Sequence, residues 1–289
     1  MPMSDGLFIE RDGFRTMLKW HRGHKQAGDI SFTPDRITEG MALGASVEID
    51  LVCHAGGGLA VLHDEVLDKA TTGQGPARGA SVDQLRSLFL RDHDGQPSTH
   101  KVMLIDDLGR VLASTSHRAG AVLQLDLKEK ASDLTQQDIA AFVAAIGPVR
   151  DRVILSAGDA KAVTRLADAL PGLPIGYDPC HGGAIERAME SGDFVTFIDD
   201  AVAAIPDAEM IYLDHEAVLF AEDRGFNMVA AFHAAGKRID AYTINRADEA
   251  SLPRVLRLLA LKCDQITTDD PVGLQALIAL YDNQRSIPG

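Results

Sequence analysis

Ser46-Val47-Glu48-Ile49-Asp50-Leu51-Val52 is the stretch on which the fold turns. Side chains alternate across a strand, so Glu48 and Asp50 share one face while Val47, Ile49 and Leu51 share the other. Acidic groups are rarely buried unless they are paired or hold a metal. A solvated edge strand is one explanation and a barrel interior is the other. The flanking sequence chooses between them. In both directions short apolar runs alternate with longer helical patterns, the signature of βα units around a parallel sheet. The runs fall at 15–21, 46–52, 121–128, 152–156, 173–177, 209–213, 238–244 and 264–268. Eight such units close a barrel, and barrels of about 250 residues run as one domain. The expectation is an α/β chain: a single (β/α)8 TIM barrel domain over residues 1–289, with a small insertion after the second strand.

The helices are legible from their stripes. In 135–146, Ile139, Phe142, Val143 and Ile146 lie on one face before Gly147-Pro148; in 159–170, Ala162, Val163, Leu166 and Leu170 do the same before Pro171-Gly172. The last helix starts at Pro271 and runs to about Tyr281, with Asp269-Asp270 as its cap. Residues 53–120 are too many for one crossover and hold a further apolar run at 59–62, so the insertion lies here. Within it HAGGG (54–58), Gly73, Gly75 and Gly79 read as turns, and Ser81-Val82-Asp83-Gln84 as a capping box opening a helix through Leu88.

Composition excludes several classes. Against 42 Asp plus Glu stand 28 Lys plus Arg, a net charge of -14, which opposes the phosphate attraction that nucleic-acid binding needs. A small anionic substrate would meet the same repulsion unless a metal or a few Lys and Arg side chains supply cations locally. Cys53, Cys180 and Cys263 are scattered and lack CxxC spacing, so neither a disulfide framework nor a zinc site is indicated. The N-terminal MPMSDGLFIERDGFR lacks the apolar core of a signal peptide, and no run reaches the roughly 18 apolar residues of a membrane span. A cytoplasmic protein without stable membrane anchoring is expected.

In such a barrel the reacting side chains sit at the C-terminal strand ends. The first strand ends in Trp20-His21-Arg22-Gly23; alone, this also fits a surface His-Arg pair. After Glu48 and Asp50, the third strand ends in Leu125-Asp126-Leu127-Lys128, with Asp126 and Lys128 on one face. Three carboxylates at one mouth repel one another and invite a hard divalent cation, Mg²⁺ or Ca²⁺. Lys128 then either meets the substrate's phosphate or pairs with Asp126 or Glu129. Val61-Leu62-His63-Asp64 brings a second histidine near the same mouth. Two histidines and a hard metal form a kit for cleaving phosphodiesters: one ring takes a proton, the other gives one to the leaving alkoxide, and the metal and Arg22 offset charge on phosphorus oxygens. Of the other histidines, His24 and His54 are near enough in sequence to line the mouth.

In this order of motifs the chain resembles the glycerophosphodiester phosphodiesterases: HRG at His21, a helix ending in Leu43-Gly44-Ala45, VEIDL, VLHDEVLDKATTGQG, LDLK, VILS, AYTIN and CDQITTDDP. Each motif is short; the collinear set spans nearly the whole chain. The resemblance implies a (β/α)8 barrel with an insertion after the second strand, His21 and His63 as general acid and base, and Arg22 and Lys128 as substrate contacts. It further implies Glu48, Asp50 and Asp126 as metal ligands. Three positions depart from the family pattern. Asp29-Ile30-Ser31-Phe32-Thr33-Pro34 replaces a Pro-Glu-Asn-Thr run and keeps only the Thr33 cap, Asp126 stands for Glu, and Tyr242 stands for a Trp on the substrate wall.

The reading is therefore metal-dependent hydrolysis of a small-molecule glycerophosphodiester to an alcohol and glycerol 3-phosphate, with His63 as the leaving-group acid because the insertion flanks the departing alcohol. Two rivals are a phosphodiesterase acting on lysolipids, for which 85–90 offers an apolar rim, and a non-catalytic barrel that binds phosphate esters.

Overall fold

The structure, a computed structural model, describes residues 5–285. Eight parallel strands form the barrel: β1 (Phe14–Trp20), β2 (Ser46–Cys53), β3 (Val122–Leu127), β4 (Val153–Ala157), β5 (Gly176–Tyr177), β6 (Met210–Asp214), β7 (Arg238–Ile244) and β8 (Gln265–Thr268). Each pairs with its successor in chain order and β8 returns to β1. The β4–β5 seam is the thinnest, a single parallel bridge between Leu155 and Ile175 with the Leu155 N–H donating to the Pro174 carbonyl at 3.0 Å. Pro174 has no N–H to return. That is why the strand expected over 173–177 shrinks to two residues.

The core lies between the strands and the surrounding helices. Val47, Ile49 and Leu51 on β2, and Leu123 and Leu125 on β3, are wholly buried there. The helices at Gln136–Ile146 and Ala160–Ala169 present the stripes read from sequence, capped by Thr135 and Asp159 accepting from backbone N–H groups. On the opposite strand faces stand polar groups, Lys19, Glu48, Asp50, Gln124, Ser156 and Asp240, all buried. Most such barrels fill this space with branched apolar side chains. The edge-strand explanation for Glu48 and Asp50 is thereby set aside.

Two hairpins were not anticipated. Phe8–Arg11 pairs antiparallel with β1 through the two-residue turn Asp12-Gly13, both with positive φ, and Phe89–Arg91 pairs with Pro97–Lys101 inside the insertion. The expected run at 59–62 appears as Leu59–Val61, antiparallel to β2. Ser81 Oγ accepts from the Gln84 N–H and starts the helix Val82–Ser87. Thr33 stands at the cap of Pro34–Leu43, yet its hydroxyl makes no capping bond.

Candidate active site

β1 ends at Trp20 and the chain turns at once through His21, Arg22 and Gly23. Arg22 takes φ 53°, a left-handed conformation uncommon for a side-chain-bearing residue. In that conformation its N–H donates to Glu48 Oε2 at 2.7 Å, tying the HRG turn to the acidic strand. Arg22 Nε lies 3.5 Å from Asp50 Oδ2. His21 Nδ1 donates to Asp269 Oδ1 at 2.6 Å, and His24 Nδ1 reaches the same oxygen at 3.1 Å. Burial alone would raise the Asp269 pKa; the bonds from His21 and His24 hold it well below the usual carboxylate range. The anion in turn fixes the His21 ring with Nε2 as its remaining nitrogen.

The register of β2 and β3 sets Asp50 opposite Asp126. Ligand oxygens of Glu48, Asp50 and Asp126 lie within 4.8 Å of one another. Burial pushes the Glu48 carboxyl up, and burial with the Glu48 charge pushes Asp50 up to about 7. Lys128 is the counter-charge present: its Nζ is 2.8 Å from Asp50 Oδ1 and hydrogen-bonds Asp126 Oδ2. Burial would lower the lysine's pKa, but Asp126, Asp50 and Glu48 raise it. Glu129 is occupied elsewhere, accepting from the Cys53 N–H at 2.7 Å and pairing with Arg78. Asp50 Oδ2 remains buried without a hydrogen bond. An all-oxygen donor set with an uncommitted buried oxygen fits a hard divalent cation such as Mg²⁺ or Ca²⁺.

His63 arrives from the Leu59–Val61 strand, carried to the mouth by its pairing with β2. Its Nδ1 donates to Asp64 Oδ1 at 3.2 Å, and burial pulls its pKa down against the upward pull of Asp50. All eight residues singled out from the sequence line one cavity of about 430 Å³. Tyr242 also lines this cavity, where burial and the nearby Asp178 raise the pKa of its hydroxyl.

Some expectations change. His24 joins the site through Asp269, whereas His54 is buried in the insertion with its Nδ1 accepting from the Gly56 N–H. Within 85–90, Leu85 and Leu90 are buried while Phe89 is exposed, so the apolar surface there is confined to Phe89 and its immediate neighbours. Asp269 serves the histidines and Asp270 is the helix cap, accepting from the Gly273 N–H at 2.8 Å. Sequence reasoning also missed the Asp178–His181 pair, bonded at 3.0 Å on the cavity wall. Its only signal was its place at the end of β5, the least legible strand.

A polar cavity at the C-terminal strand ends, with carboxylates and two histidines brought together by β1, β2 and β3, is the site of an enzyme-type (β/α)8 barrel. The profile of the "Glycerophosphoryl diester phosphodiesterase family" matches residues 21–272, and the chain belongs to that family. Among solved structures, a protein of Galdieria sulphuraria assigned as a glycerophosphodiester phosphodiesterase is 16% identical with a TM-score of 0.70, covering 94% of this chain and 99% of its own. One of Agrobacterium tumefaciens, assigned as a glycerophosphoryl diester phosphodiesterase, is 20% identical with a TM-score of 0.67 and the same two coverages, 94% and 99%. An Oleispira antarctica phosphodiesterase in complex with the product sn-glycerol-3-phosphate is 19% identical with a TM-score of 0.64, covering 91% and 96%. At such identities the likeness establishes the fold. A segment of 99 residues, 34% of this chain, is 34% identical to the ornithine carbamoyltransferase of Syntrophotalea carbinolica and spans 31% of that protein. No helix among the described residues is long and apolar enough to cross a membrane.

Proposed function

We propose that the chain hydrolyses a small glycerophosphodiester to an alcohol and glycerol 3-phosphate, with a divalent cation held by Glu48, Asp50 and Asp126 and proton transfer by His21 and His63. The observation that carries this reading is the convergence of both histidines on the cavity that holds the carboxylate cluster. A site that only bound phosphate esters would have no use for two proton-transfer groups. The Oleispira antarctica complex with sn-glycerol-3-phosphate supports the product named here.

When bound, the ion offsets negative charge on the phosphoryl oxygens. Arg22 and Lys128, both lining the cavity, add fixed positive charge for the phosphate. His21 is the general base: Asp269 orients its ring and faces the positive charge the ring acquires on taking a proton at Nε2. His63 is the general acid, and the burial that lowers its pKa makes its protonated form a better donor to a departing alkoxide. Tyr242 closes the wall on the side of the alcohol.

The test is a turnover screen across glycerophosphodiesters with Mg²⁺ or Ca²⁺, reading glycerol 3-phosphate and the free alcohol separately. Stoichiometric release of both supports the reading. No turnover of any of them, with intact ester recovered from the cavity, makes the chain a binding protein instead.

A further inference from the structure

The polar groups lining and underlying the cavity form a chain whose donor order is fixed from one end. Lys19 is wholly buried and ion-paired with Asp240, Nζ to Oδ2 2.6 Å, while Thr267 donates to the other Asp240 oxygen at 2.6 Å. An ammonium group donates and cannot accept. Lys19 hydrogen-bonds Gln124 Oε1, so the amide nitrogen of Gln124 must point away from the lysine. That nitrogen donates to Ser156 Oγ at 2.8 Å. A hydroxyl has one proton, and Ser156 spends it on Asp126 Oδ1 at 2.6 Å. The β3–β4 register, which sets Asp126 opposite Ser156, allows this contact. Asp126 Oδ2 is the oxygen that shares the Lys128 ammonium with Asp50. Buried polar chains are costly when partly satisfied, and this one has a partner at each step.

Resting on the metal reading above, we propose that Ser156 is a positioning residue. It clamps Asp126 through Oδ1, under the direction of Lys19 and Gln124, so that Oδ2 faces Asp50 as a ligand for a divalent cation. Outer partners of metal-binding carboxylates commonly change metal affinity by about 10–100-fold when removed. Ser156 belongs to the VILS motif and stands behind the cavity wall rather than in it, so its effect on the site passes through Asp126.

The test is a titration of metal-stripped full-length protein with MgCl2 and, separately, CaCl2, read by calorimetry and by the rise in melting temperature. Ser156→Ala is expected to raise the metal Kd by about 10–100-fold. Gln124→Met cuts the chain one bond further back, frees the Ser156 hydroxyl to turn, and is expected to raise Kd by a smaller factor. A structural role would lower the metal-free melting temperature and leave Kd unchanged. A wild-type Kd in both variants overturns the proposal, and if Ser156→Ala fails to fold, an unchanged Kd in Gln124→Met overturns it alone. A wild-type protein that binds neither cation removes the metal reading and this proposal together, an outcome distinct from equal binding by wild type and variants.

Discussion

His21 and His63 hold their rings by the same device, a carboxylate on Nδ1, but in different surroundings, and that difference has a kinetic consequence. A general acid matters most when the departing alkoxide is a poor leaving group. With an alkyl glycerophosphodiester, His21→Ala and His63→Ala should each cost about 10²–10⁴-fold in kcat. With a p-nitrophenyl phosphodiester the His63→Ala loss should shrink while the His21→Ala loss persists, provided the attacking group is unchanged. Equal losses for both variants on both substrates would end the two-histidine assignment. Asp269→Asn should lower kcat by about 10²-fold or more at little change in KM, because the anion that orients His21 is gone. The histidines were legible because each closes an apolar run with a titratable group. Asp269 was not: two adjacent aspartates precede the last helix, either can cap it, and only the geometry shows that Asp270 does. Ser156 ends the VILS motif, but its role was not legible there, since a serine ending an apolar run is as often a packing residue.

At the scale of elements, β2 carries carboxylates that the metal-free fold tolerates poorly. Asp50 has a folded pKa of about 7 against an unfolded value of about 3.9. The folded state therefore binds a proton that the unfolded state has lost. The stability this contributes is present below about pH 4 and is lost as pH rises through about 7. Asp50→Asn should thus leave the metal-free protein less sensitive to that rise, its melting temperature gaining on wild type between about pH 4 and pH 8, while activity falls. A salt-bridge role predicts the reverse, a variant that loses ground as pH rises. Elsewhere the helix containing Gly109 crosses the next so closely that an added Cβ would lie 2.5 Å from the Ala145 carbonyl oxygen. Gly109→Ala should cost about 1–3 kcal/mol of stability, measured by urea denaturation, with kcat unchanged. Strands β2, β3 and β7 were readable to within a residue or two because apolar residues recur at every second position, Val47, Ile49 and Leu51 in β2 and Leu123, Leu125 and Leu127 in β3. The hairpin before β1 was missed although Asp12-Gly13 is a strong two-residue turn signal. Its first strand is short, and the alternation in Phe8–Arg11 is weak beside the run that follows.

The whole molecule carries a net charge of -14, and its proposed substrate is an anion. Lys128 and Arg22 place positive charge in the cavity, but both already lie against Asp50 and its neighbours. A divalent cation in the proposed site would resolve this conflict, since it would offset two of the three carboxylate charges and leave the two side chains to face the phosphate. Because it binds the folded state only, the ion should also raise the melting temperature with concentration. The most direct measurement is glycerol 3-phosphate release from a glycerophosphodiester by protein stripped in EDTA, before and after adding back Mg²⁺ or Ca²⁺. Turnover should vanish on stripping, return with the ion, and fail to return in Glu48→Gln and Asp50→Asn. Full activity in excess EDTA, with no metal found in the purified protein, would contradict the metal-dependent site.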